Sequence, residues 1–137
     1  MHVTKRDGSK EEISFDKILK RVKQLGEEAS INLNYTSLVM RIIEQLYDGI
    51  ETKIIDELTA QHCANQITDH PDYGVLASRI VISNNHKNTK GSFYDVVKCL
   101  YNFHDKQSKK TKPLVSEDLY KNACLHKDKY DAMIDYN

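Results

Sequence analysis

From Phe15 onward, apolar residues recur at three- and four-residue spacing. Phe15, Ile18, Leu19, Val22 and Leu25 predict an amphipathic helix over about residues 15–28. Ser14 or Asp16 can cap its start, and Gly26 lies near its end. A second stripe, Leu38, Val39, Ile42, Ile43 and Leu46, predicts a helix from Tyr35 to about Asp48, with Thr36 as a possible cap and Gly49 as the stop. A third runs through Ile55, Leu58, Ala60, Cys63, Ala64 and Ile67 to about Asp69, with Thr52 placed as its N-cap. His70-Pro71-Asp72 breaks that pattern, and Pro71 suits the first position of the next helix. This fourth segment, about 72–88, carries Val75, Leu76, Ile80, Val81 and Ile82 on more than one face and is expected to be the most buried. Gly91 interrupts, and a fifth helix follows through Phe93, Val96, Val97, Leu100 and Tyr101 to about Phe103.

The pattern differs at the two ends. His2-Val3-Thr4-Lys5 and Lys10-Glu11-Glu12-Ile13 flank Asp7-Gly8, which predicts a two-residue type I′ hairpin. A lone hairpin is barely stable in water, so this one is expected to lie on the helices. Ile50-Glu51-Thr52 could add a third strand beside it. Residues Asp105 to Lys112 are polar and basic and read as a surface linker before Pro113. Residues of about 116–136 suggest two short helices with too few large apolar side chains for a core of their own. The reading is therefore mainly α (α+β): about four bundled helices capped by a short hairpin or three-stranded sheet, then a linker and short helices. It gives a first domain over 1–92 and a second piece over 93–137.

Composition narrows the function classes. At 137 residues, the chain is long enough for one domain with its own core. The 20 basic and 20 acidic residues balance, so no overall field favours nucleic acid or a membrane surface. No stretch approaches the roughly 20 apolar residues of a membrane span. No apolar signal core opens the chain, and the expectation is a cytoplasmic protein. The three cysteines, Cys63, Cys99 and Cys124, are scattered and form no CxxC pair, which fits a reducing compartment better than a disulfide frame. No four-ligand zinc spacing is present.

Candidate chemistry concentrates near the N-terminus. Lys5 and Arg6 can bind phosphate oxygens, as a mobile ammonium and a planar fork; charges beside a hairpin turn are equally at home as a solvated face. Glu11 and Asp16 have no nucleophile or orienting base in a recognisable pattern, so a catalytic role is not assigned to them. Asp16 also suits a helix start, where a carboxylate meets the positive end of the dipole. Thr52 and Asp56 are four residues apart and share a helix face. Lys87 stands at the end of the fourth helix, where a cation complements the dipole. The five glycines form neither GxxxxGK nor GxGxxG, so any bound phosphates must be held by basic side chains.

Three segments carry a resemblance to a known family. VTKRDGSKEEISFDKI (Val3–Ile18) is similar to the opening of the ATP-cone found at the N-terminus of many ribonucleotide reductase large subunits. LYDGIETKIIDEL (Leu46–Leu58) resembles the second segment of the cone, and HPDYGVLASRIVISNNHKNTK (His70–Lys90) resembles a stretch of eukaryotic and viral class I large subunits. Beyond the cone, Pro113 to Asn137, with HKDKYDAMIDYN as its motif, is similar to the start of the reductase's helical N-terminal domain. The resemblance implies a four-helix bundle under a three-stranded sheet that binds ATP or dATP as an allosteric effector, with Mg²⁺ on the phosphates. By position it implies that Lys5 and Arg6 meet phosphates, and that Glu11, Glu12, Ile13, Ser14, Phe15, Asp16 and Lys17 form a wall around base and sugar. Thr52, Asp56 and Lys87 would close the site, with Asp56 accepting from a sugar hydroxyl. The implied partners are the rest of the large subunit, its small radical-bearing subunit and an effector-dependent homo-oligomer. No catalytic residue is carried over, so this chain alone is expected to bind rather than catalyse. The alternatives are a transcriptional regulator carrying an ATP-cone, disfavoured by the neutral charge, and a stand-alone helical interaction module.

Overall fold

In the computed structural model, which describes residues 1–135, serine and asparagine side chains start four of the helices. Ser14 caps α1 (Phe15–Glu27), Asn34 caps α2 (Tyr35–Ile43), Ser92 caps α5 (Phe93–Tyr101) and Ser116 caps α6 (Glu117–Leu125), each accepting from a backbone N–H in the first turn. Between them lie α3 (Thr52–Asn65) and α4 (Asp72–Asn88), and α7 (Lys127–Met133) follows α6. The strands are short: β1 (His2–Thr4), β2 (Lys10–Glu12), β3 (Ile50–Glu51), β4 (His104–Asp105) and β5 (Lys110–Thr111). The fold is mainly α with small sheets. Two compact units divide between Asn88 and Thr89.

In the first unit the sheet order is β2-β1-β3. β1 pairs antiparallel with β2, placing Val3 opposite Glu11, and parallel with β3, placing Val3 beside Ile50. Val3, Ile50 and Ile55 form a small apolar layer under the sheet. The main core lies among α1–α4 and includes Val22, Leu38, Val39, Ile42, Cys63, Leu76 and Ile80. The most extensive helix pairing is between α3 and α4.

The hairpin differs from the expected two-residue turn. Lys5 N–H donates to Ser9 O at 2.8 Å and Gly8 N–H donates to Lys5 O at 3.0 Å, leaving Arg6, Asp7 and Gly8 as a three-residue loop. Only Gly8 within it takes a left-handed φ, +84°, which is the residue that such a loop needs before the strand resumes. The Asp7 carboxylate accepts from the Ser9 hydroxyl and N–H at 2.6 and 2.9 Å; these bonds hold its carboxyl below the usual range. The extra loop residue matters because it frees Arg6 from strand pairing.

Helix ends also depart from the sequence reading. α2 stops at Ile43 rather than near Asp48, because Gln45 and Leu46 N–H groups donate to Ile42 O and Ile43 O in tighter turns. The early stop returns the chain to the sheet, where Asp48 Oδ1 accepts from His2 N–H at 2.6 Å and Gly49 N–H donates to His2 O at 2.8 Å. Asn34, not Thr36, caps this helix. Thr52 is the first residue of α3 rather than its cap, a position taken by Glu51 without a side-chain bond. α3 ends at Asn65, short of Asp69. α4 has the expected limits but not the expected burial: Leu76, Ala77, Ile80 and Asn84 form one buried stripe, whereas Val75, Val81 and Ile82 are about half exposed.

In the second unit, Val97 and Ala123 are buried. Tyr101 stacks on Tyr120 with centroids 4.3 Å apart, and Phe93 tilts against Tyr130 at 5.2 Å. Aromatic pairs thus supply packing that aliphatic residues do not. Asp131 accepts from Phe93 N–H at 3.0 Å and Ser92 Oγ at 3.1 Å, tying α7 to the start of α5. The expected linker is a hairpin, β4 paired with β5. Its organiser is Asp105, which accepts from Lys112 Nζ, Ser108 Oγ and Gln107 N–H at 2.9, 2.7 and 3.0 Å. The Lys112 ammonium and those donors lower its carboxyl to about 2. Tyr136, at the end of the predicted final helix, and Asn137, which closes the last matched segment, lie outside the described residues.

The cysteines have contrasting environments. Cys63 has no exposed surface, and burial pushes its thiol up to about 12; Cys99 and Cys124 are exposed. Because the thiolate is the reactive form, a disulfide-exchange reagent at mildly alkaline pH is expected to titrate two thiols quickly. The third should appear only on addition of denaturant. Three fast thiols would contradict the packing of α3 against α4.

Candidate functional site

Two helices present the same repeat to the underside of the hairpin. On α1 and its cap, Ser14, Lys17, Ile18, Arg21 and Val22 share a face, and on α3 Thr52, Ile55, Asp56 and Thr59 do. With the hairpin above and Lys87 from the end of α4, they enclose a cleft of about 470 Å³. That lies within the roughly 300–1,000 Å³ of small-molecule sites. Val3, Ile13, Ile18, Val22 and Ile55 line its apolar part, and Lys5, Arg6, Lys17, Arg21 and Lys87 supply cations.

Asp56 anchors the polar part. Its side chain is 10% exposed, and both oxygens are engaged. Arg21 grips it in a fork, Nε to Oδ1 at 2.8 Å and Nη2 to Oδ2 at 2.9 Å, the bidentate geometry in which guanidinium exceeds ammonium. Arg6 Nη2 reaches Oδ2 at 3.3 Å. Arg6 also donates to Asn84 Oδ1 at 2.5 Å and Asn88 Oδ1 at 2.8 Å. The hairpin loop is therefore fastened to α3 and α4 through one side chain. A second cluster sits nearer the surface, where Glu11 pairs with both Lys5 and Lys17. Each cation is thereby oriented before any ligand arrives, and the carboxylates limit mutual repulsion among five positive groups.

Ten of the twelve residues singled out in the sequence line this cleft: Lys5, Arg6, Glu11, Glu12, Ile13, Ser14, Lys17, Thr52, Asp56 and Lys87. Phe15 and Asp16 do not. Phe15 packs against the main core, and Asp16 is exposed in the first turn of α1. Arg21 escaped the sequence reading, although its place four residues after Lys17 on the capped helix was the available signal. Asn84 and Asn88 were missed too, and their i, i+4 spacing at the end of α4 was visible. Among the described residues, no group of three or more His, Cys, Asp or Glu side chains is arranged to hold a metal ion, and no helix is long and apolar enough to cross a membrane.

Comparison with known proteins places this geometry in a family. The model of the ATP cone domain matches residues 1–88, the same span as the first compact unit. The whole chain is similar to a part of much longer proteins. It is 40% identical over 140 residues to the ribonucleoside-diphosphate reductase large subunit of Dictyostelium discoideum, covering 99% of this chain and 16% of that protein. Against the large subunits of Danio rerio and Variola virus it is 37% identical, covering 100% and 99% of this chain but only 17% and 18% of theirs. The chain thus spans less than a fifth of the length of these relatives. Through its first 88 residues, this chain belongs to the ATP-cone domain family.

Proposed function

We propose that the first unit is an allosteric adenine-nucleotide sensor, binding ATP as activator or dATP as inhibitor, and that it serves the large subunit of a ribonucleoside-diphosphate reductase. The observation that carries this reading is the cleft itself, in which an apolar floor and five cations meet without a glycine-rich loop. The base rests against Ile13, Ile18, Val22 and Ile55. The phosphates face Lys5, Arg6 and Lys87, which take the place of backbone N–H groups in a phosphate loop. Lys17 and Glu12 border the base and sugar. Asp56, the sugar-hydroxyl acceptor in this reading, is held by Arg21 so that its oxygens keep one orientation.

No protein cage for a metal is needed. Mg²⁺ binds a nucleotide through phosphate oxygens and water, with one or two carboxylates at most, and its contribution is to neutralise phosphate charge. ATP and dATP differ by one hydroxyl, whose hydrogen bond is worth roughly 0.5–3 kcal/mol, about two- to over a hundredfold in affinity. That difference becomes regulation only when the two ligands favour different assemblies. The partners in this reading are the remainder of the large subunit, the small radical-bearing subunit and further copies of the chain, in the cytoplasm.

Calorimetry on the 137-residue chain tests it. Micromolar binding of ATP and dATP is expected. Lys87→Ala should weaken both about tenfold, as loss of one charge-assisted contact does. Undiminished affinity in that variant would move the phosphates elsewhere.

A further inference from the structure

Beside the nucleotide cleft lies a second groove, of about 680 Å³, lined by Thr4, Lys5, Arg6, Gly8, Glu51, Thr52, Lys53, Lys87 and Asn88. Lys5, Arg6, Thr52 and Lys87 line both spaces, so the two meet at the cations that receive phosphates in the reading above. The apolar floor belongs to the first space only. Lys53 belongs to the second only.

We infer that the groove receives the outermost phosphate of the bound nucleotide, and that Lys53 is a specificity residue that distinguishes a nucleoside triphosphate from a diphosphate. This rests on the assignment of the cleft to an adenine nucleotide. With the base on the apolar floor, a polyphosphate crossing the shared cations emerges into this groove, where the next cation is Lys53. Its ammonium is exposed enough to move and is now held by Glu51 Oε2 at 2.7 Å. Glu51 raises the pKa of Lys53, and Arg6 lies close enough to oppose that effect. A terminal phosphate, carrying more charge than one carboxylate, competes for the same ammonium and relieves its repulsion with Arg6.

The test is calorimetry of the 137-residue chain with ATP, ADP and AMP in magnesium buffer. Lys53→Ala is expected to weaken ATP about fivefold, the upper range for a solvent-exposed ion pair, and to leave ADP and AMP within about twofold. Glu51→Gln releases Lys53 and should tighten ATP by about twofold. Both residues are on the surface, and unchanged circular dichroism verifies that the variants fold. Equal losses for ATP and ADP in Lys53→Ala, no loss for either, or two nucleotides bound per chain would each overturn the role of Lys53 while leaving the cleft assignment standing. Failure of the unaltered chain to bind any of the three would overturn both.

Discussion

Asp56→Asn is expected to be the most damaging single-atom exchange in the first unit. It should cost about 2–3 kcal/mol of stability, or about 10–20 °C in melting temperature for a domain of this size. The exchange replaces one acceptor oxygen by a donor NH₂. Asp56 now receives three guanidinium contacts, two from Arg21 and one from Arg6. An amide can satisfy at most part of that set, and its NH₂ points at an N–H. The full cost of a broken buried pair, about 3–5 kcal/mol, is discounted because the Arg6 and Arg21 side chains are 28% and 24% exposed and water can reach them. Thermal unfolding followed through amide NMR signals of α3 and α4 isolates this unit from the second. Nucleotide affinity should fall in parallel by about tenfold or more, because Arg6 loses the anchor that holds the loop over the cleft. A melting temperature within about 2 °C of the unaltered chain would show that the two arginines do not depend on Asp56.

The same residue shows where sequence legibility ends. The face shared by Thr52 and Asp56 was readable from their spacing, as were the limits of α4 at Asp72 and Asn88 and a capped start of α1, where the structure chooses Ser14 over Asp16. These are local consequences of helical period and side-chain capping. The partners of Asp56 lie 35 and 50 positions away along the chain, and no periodicity within one element specifies such a meeting. That the cleft residues share one site was reachable before the structure only because three separated segments resembled one family in order and spacing. What the resemblance did not supply was the division of labour: Glu11 holding two lysines, and Arg6 spent on Asn84 and Asn88 as well as on Asp56. The misread elements share a cause. α2 ends early, and residues 105–112 fold back as a hairpin, because pairing with a distant strand or an organising carboxylate outweighs what the segment would do alone. Exposed Val81 and Ile82 are the converse case, since α4 packs on α3 and α1 through one stripe and these two apolar residues stay about half exposed.

Gly26 gives the second large effect, with a sign opposite to the helix rule. It lies inside α1, one residue before its end, with an ordinary helical backbone rather than a left-handed one. Replacing a glycine by alanine at such a site normally stabilises by about 1 kcal/mol. Here a Cβ would fall 2.6 Å from Tyr35 Cζ and 2.7 Å from Cε1, separations that a ring cannot accept. Nor can the ring withdraw easily. Tyr35 is buried in the main core, its hydroxyl donates to Ile31 O, and Ile31 N–H returns to Gly26 O at 2.9 Å, closing the connection between α1 and α2 on itself. Gly26→Ala is therefore expected to lose about 2 kcal/mol net, in the range of an overpacked core, or roughly 10 °C in melting temperature, and Gly26→Val more. Tyr35→Phe should give little relief, because two of the clashing atoms are ring carbons. In a Tyr35→Ala background the sign should reverse, and Gly26→Ala should then be neutral or stabilising by up to about 1 kcal/mol, since only the helix preference remains. A Gly26→Ala variant that melts above the unaltered chain, with Tyr35 intact, would mean that the ring does not occupy the space over Gly26 and that α1 and α2 meet elsewhere.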